Sequence, residues 1–73
     1  MAEFIAQNIH SSGRFWVCHI GPGRFYVMRQ DFDKSRRIKA FRAVGRFTED
    51  DARKSAINLC NAESSSAVLN SRP

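Results

Sequence analysis

A Gly-Pro-Gly turn between two dense apolar runs constrains this chain more than any other feature. Residues 14–30 read RFWVCHI-GPG-RFYVMRQ. Phe15 to Ile20 is aromatic, β-branched or otherwise apolar except at His19, a composition that favours a strand. Proline at the second turn position fixes φ and glycine at the third accepts a positive φ, so Gly21-Pro22-Gly23-Arg24 suits a type II turn. Phe25 to Gln30 is then the returning strand. With Pro22 and Gly23 as the loop, Ile20 pairs with Phe25, Cys18 with Val27 and Trp16 with Arg29. One face carries Trp16, Cys18, Ile20, Phe25, Val27 and Arg29. The other carries Phe15, Val17, His19, Tyr26, Met28 and Gln30. A one-residue slip of either strand regroups both sets.

Both sets are mostly apolar, whereas a solvated sheet face alternates to polar residues. A single short helix covers one face. The other calls for the N-terminal segment, a second copy of the chain or a partner.

The rest of the chain supplies the neighbours of this hairpin. Ile38 to Val44 reads as a third strand, reached through a polar connection over residues 31–35. Phe32 is the apolar residue of that connection, placed to fold back as a plug. FIAQNI alternates weakly and suggests a short strand over residues 3–10, with His10-Ser11-Ser12-Gly13 as the turn after it. Thr48-Glu49-Asp50-Asp51 opens a helix. Thr48 can accept from free backbone N–H groups, the acids favour the positive end of the helix dipole, and Asp51 stands where a capping box places its acid. Phe47 is placed to staple onto Ala52. Ala52, Ala56, Leu59 and Cys60 form an apolar stripe with Ile57 on its edge, and the pattern ends near Ala62. The remainder, SSSAVLNSRP, is polar and aperiodic, with Val68 and Leu69 available to dock. The expected fold is α+β: a three- or four-stranded antiparallel β-meander with one C-terminal α-helix packed on one face. Residues 1–63 form a single small domain and 64–73 a flexible C-terminal tail.

Seventy-three residues bury only roughly 60% of the unfolded surface, which leaves little room for a deep catalytic pocket. Twelve Lys+Arg against seven Asp+Glu give a net charge of +5. From Arg14 to Arg46, nine basic residues against two acidic ones give +7; from Glu49 to Glu63, two basic residues against four acidic ones give −2. A basic sheet therefore backs onto a mildly acidic helix. Nine of the twelve cations are arginine, the side chain suited to bidentate recognition of phosphate.

Catalytic and metal readings find little support. Cys18 and His19 are neighbours in a strand, point to opposite faces and cannot act as nucleophile and base. Capping explains the acid cluster. Cys18 and Cys60 match no metal spacing, and no cofactor is expected. The reading is non-enzymatic. No apolar run reaches the roughly 20 residues of a membrane span, and the N-terminus lacks the features of a signal peptide. The expected location is the cytoplasm, that of a host cell if the chain is phage-encoded.

The meander is the better candidate for binding. Arg24 lies at the turn, Arg29 on the second strand, and Arg36, Arg37, Lys39 and Arg42 on the following loop and strand. All six can reach phosphates or base edges, and Trp16 and Tyr26 can stack on unpaired bases. DNA or RNA is the expected partner. The run from FWVCHI to DARKSAINLCNAE resembles, over roughly residues 14–62, the strand-strand-strand-helix modules of integrase arm-site-binding domains from phages and transposons. Their helix opens on an F-T-x-x-x-A pattern similar to FTEDDA at residues 47–52. That resemblance implies DNA binding through the sheet. This sheet is more apolar than such domains show. The departure supports a second expectation, a phage-encoded protein-interaction module that inhibits host machinery, such as an anti-CRISPR protein. Its bare sheet face would then dock a host protein or nucleoprotein complex, or form a homodimer.

Overall fold

The structure, a computed structural model, describes residues 3–70, with side chains to Ala67. Strands β1 (Gln7–Ser12), β2 (Phe15–Gly21), β3 (Arg24–Asp31) and β4 (Lys34–Arg42) form one antiparallel sheet in the order β1-β2-β3-β4. Helix α1 (Glu49–Asn70) packs across it. This is the expected α+β meander, with four strands.

Tight turns set the strand boundaries. Gly13 at φ +60° and Gly23 at φ +68° adopt backbone conformations that side chains disfavour. Both glycines are also crowded. A Cβ on Gly13 would sit 2.7 Å from Ser64 Oγ, and one on Gly23 would sit 2.9 Å from Ala43 Cβ. The first turn is therefore Gly13-Arg14, not His10–Gly13, and β1 runs later than the expected 3–10. Phe32 turns the third hairpin at φ +52°. The expected 31–35 connection thus shrinks to Phe32-Asp33, and β4 starts at Lys34 rather than Ile38. Phe32 does not plug the core; it is fully exposed at the hairpin tip.

The register differs from the sequence expectation by one residue, for a local reason. Gly21 pairs with Arg24 across the Pro22-Gly23 loop, as expected, but the register then shifts between His19 and Gly21. Ile20 is the extra residue. A bulge opposes two residues to one and moves everything beyond it by one position. His19 therefore pairs with Phe25, Val17 with Val27, Cys18 with Tyr26 and Trp16 with Met28. The faces regroup accordingly. Phe15, Val17, His19, Phe25, Val27 and Arg29 face the helix; Trp16, Cys18, Tyr26, Met28 and Gln30 face away.

The core lies between the helix and the first set. Phe15, Val17, Phe25, Val27, Ala52, Ala56 and Cys60 are at most 3% exposed, with Ile38, Phe41, Ile57, Leu59 and Ala67 packed around them. Fully burying a Val or Phe side chain contributes about 1.5–3 kcal/mol, so four strand residues dominate the hydrophobic stabilisation. The small residues Ala52, Ala56, Cys60 and Ser64 recur every fourth position and let the helix approach the sheet closely. Cys60 sits deep enough that burial raises its thiol pKa, opposed in part by a backbone hydrogen bond from Ser12.

The helix start follows its sequence signals. Thr48 N–H donates to Asp51 Oδ2 and Asp51 N–H donates to Thr48 Oγ1, each at 3.1 Å. That reciprocal pair is a capping box with Asp in place of the usual Glu. Phe47, just before the cap, stays 39% exposed. The helix does not stop near Ala62; it continues to Asn70, through the first part of the expected tail. Residues 71–73 and the side chains of Val68 and Leu69 lie outside the described residues.

Candidate functional site

The sheet face away from the helix carries no packed element among the described residues. The described part of the N-terminal segment, from Glu3 on, does not cover it. Phe4 instead meets His19 edge-on, with ring centroids 4.8 Å apart, and His19 stacks on Phe25 at 4.4 Å on the helix side. At the polar tip of this stack, His19 Nε2 lies 3.9 Å from Glu49 Oε2. That separation is too long for a hydrogen bond. Cys18 and His19 lie on opposite faces, as neighbours in a strand must.

Strand alternation, reset on β4 by a bulge at Ile38 between the Val27–Lys39 and Met28–Arg37 pairs, divides the eight candidate residues between the two faces. Tyr26 and Arg24 lie on the outer face of β3, two residues apart. Arg24 pairs with Arg42, Tyr26 with Ala40 and Met28 with Arg37 across to β4. Trp16 lies on the outer face of β2 opposite Met28. The outer face thus gathers Trp16, Arg24, Tyr26, Arg37 and Arg42. Arg29, Arg36 and Lys39 belong to the helix side. Arg29 pairs with Arg36 there, and Lys39 with Val27.

The three helix-side cations have internal partners. Arg29 Nε lies 2.7 Å from Asp31 Oδ1, off the line of a good hydrogen bond, so the contact is an ion pair. Arg36 Nε lies 3.1 Å from Asp31 Oδ2. Asp31 therefore partly neutralises both arginines. Arg29 also sits 6.0 Å above the Phe15 ring, and Lys39 Nζ 6.0 Å above Phe41. Half-exposed pairs of this kind contribute about 1 kcal/mol or less to stability.

The outer cations differ. Asp31 is the sole acid within the four strands, and it faces the helix side with Arg29. The outer strand surface therefore holds three arginines and no carboxylate. Arg37 rests over the Tyr26 ring, its guanidinium carbon 4.8 Å from the centroid, an attractive cation–π geometry. Arg24 and Arg42 stand directly opposite each other, a like-charge arrangement that disfavours the pairing.

The scaffold under Arg24 and Arg42 is well braced. Gly23 N–H donates to Glu49 Oε2 at 2.5 Å, tying the turn to the helix start. Ala43 N–H donates to Gly23 O at 2.7 Å, closing the strand ends beside both arginines. Neutral polar groups complete the face. Asn8 and Ser11 on β1 lie opposite Cys18 and Trp16, and Cys18 Sγ donates to Asn8 Oδ1 at 2.9 Å.

Sequence reasoning found the five outer residues but mixed them with three from the other side. It grouped Met28 and Gln30 with Tyr26 but not with Trp16, and it missed Asn8, Ser11 and Ser35 as members of the face, because membership follows from the register. Among the described residues, no three His, Cys, Asp or Glu side chains converge as metal ligands, and no helix is long and apolar enough to cross a membrane.

The fold and this face together define a small open-faced α+β sheet domain with a basic, acid-free surface. Comparison with family models, with characterised proteins and with solved structures gives no match. Functional inference therefore rests on the chemistry of the face.

Proposed function

We propose that this chain is a small basic non-enzymatic nucleic-acid-binding module that receives its ligand on the outer sheet face. One observation carries the reading: Arg24, Arg37 and Arg42 share a strand surface with Trp16 and Tyr26 and with no carboxylate. Arginine forks match phosphate oxygens, and a bound phosphate between Arg24 and Arg42 offsets their mutual repulsion. Aromatic rings on the same face offer stacking area for bases or sugars. Arg29, Arg36 and Lys39 then serve stability and long-range attraction rather than contact.

Titration with DNA and RNA at low and at near-physiological salt tests this reading. Binding that weakens steeply with salt, and that weakens further in R24A/R42A, supports it. Failure to bind DNA and RNA even at low salt removes it.

The half-buried apolar strip of Trp16, Cys18, Ile20 and Met28 favours a second reading, docking of an acidic host protein or of a second copy. A phage-encoded inhibitor would work in that way. Size-exclusion chromatography beside the titration separates the cases: a clean monomer removes the homodimer.

A further inference from the structure

We infer that the outer face takes an unpaired strand in preference to duplex, with Trp16 as the open stacking platform. This rests on the nucleic-acid reading above and narrows its ligand class.

Sheet width disfavours a duplex. Four strands spaced about 4.8 Å apart present a surface wider than the roughly 12 Å major groove, which admits a helix or a two-stranded ribbon. Trp16 and Tyr26 belong to β2 and β3, the two central strands. Flat against a duplex, these half-buried rings meet the backbone and not the base planes. An unpaired strand turns its bases out and offers their π faces.

The arrangement of the rings suits an unpaired strand. Trp16 is opposite Met28 and Tyr26 opposite Cys18. The two residues are therefore diagonal neighbours, their backbones about 7–8 Å apart. An extended single strand covers such a step with one nucleotide. The rings are not equivalent. Arg37 already lies over Tyr26, whereas among the described residues no ring or cation lies over Trp16. Trp16 is thus free to take a base, and Tyr26 with Arg37 offers a stacked cation beside it. Arg24 and Arg42 lie two positions along β3 and β4 from Tyr26 and its partner Ala40. They are placed to hold the phosphates of the same strand as it runs toward the Pro22-Gly23 turn.

Trp16 is the protein's one tryptophan, so its emission reports on this site alone. The full chain is titrated at low salt with an oligothymidylate and with a blunt duplex of equal length. The expected result is quenching of Trp16 emission by the oligothymidylate and tighter binding of it than of the duplex. W16A should lower oligothymidylate affinity roughly tenfold while changing duplex affinity about twofold or less. W16F, which keeps a ring, should retain most of the affinity and guards against a variant that fails to fold. Equal affinity for duplex without quenching, or an unchanged affinity in W16A, overturns this inference and leaves the nucleic-acid reading standing. Binding of neither ligand overturns this inference, and the nucleic-acid reading falls with it when RNA also fails to bind at low salt.

Discussion

On the helix side of the sheet, Phe15, Val17, Phe25 and Val27 are at most 3% exposed. Their immediate neighbours Trp16, Cys18, Tyr26 and Met28, on the same two strands, are only half-buried on the other side. The two faces also treat charge differently. The helix-side arginines Arg29 and Arg36 share Asp31, while Arg24 and Arg42 oppose each other with no acid between them. One face has its apolar and ionic needs met within the chain. The other leaves both open. The comparison separates residues that hold the fold from residues free to bind, although the two kinds alternate along each strand.

The largest effect should come from the closed face. Phe25→Ala removes a fully buried ring from the centre of the core and should cost about 3–5 kcal/mol, a large share of the stability of a domain of this size. Met28→Ala on the open face should cost about 1 kcal/mol or less. Urea denaturation of both variants checks the contrast; similar losses would erase the distinction between the faces.

The helix cap comes next. Thr48→Ala breaks the reciprocal pair with Asp51 and should cost about 1 kcal/mol, read as a lower urea midpoint with unchanged slope.

A pair of double variants then sharpens the charge contrast. R29A/R36A should lower stability by about 1 kcal/mol or less and leave nucleic-acid affinity nearly unchanged at moderate salt. R24A/R42A should do the opposite. It should lower affinity and leave stability unchanged or slightly raised, by a few tenths of a kcal/mol, since a cross-strand repulsion is removed.

The smallest effect concerns Cys60. Burial holds its thiol pKa above the ordinary value of 9.0. The unfolded chain therefore releases this proton first, so the contribution to stability is intact below pH 9.0 and is lost as pH rises toward the folded value. The decline in urea midpoint from pH 8 to about pH 10 should accordingly be steeper in the native chain than in C60A. Equal declines would place the thiol outside the core.

Much of this was legible in the residues, and the part that was not has a physical cause. The helix start at Thr48, the Pro22-Gly23 loop and the α+β class follow from local chemistry: side-chain caps, a fixed φ and a freely positive one. The register did not follow, because bulged residues at Ile9, Ile20 and Ile38 each reassign the side chains beyond them and nothing about an isoleucine announces a bulge. The third turn was missed for a similar reason. Phenylalanine at φ +52° is a conformation that residue rarely takes, so Phe32-Asp33 did not read as a two-residue turn, and Arg36 and Arg37 were left on a loop. Once they lie on β4, alternation separates the two, and the bulge at Ile38 sends Arg37 to the outer face and Arg36 to the helix side. The uncovered apolar face was visible in composition from the outset. Which arginines share it was not.

The most direct test of the division between the faces is an amide and indole NMR titration with an oligonucleotide. The account predicts that the Trp16 indole and the amides of Arg24, Tyr26, Met28, Arg37 and Arg42 shift together, while Ala52, Ala56, Cys60 and Lys39 hold still. Shifts concentrated on the helix and on Arg29, Arg36 and Lys39, with the Trp16 indole unmoved, would contradict it.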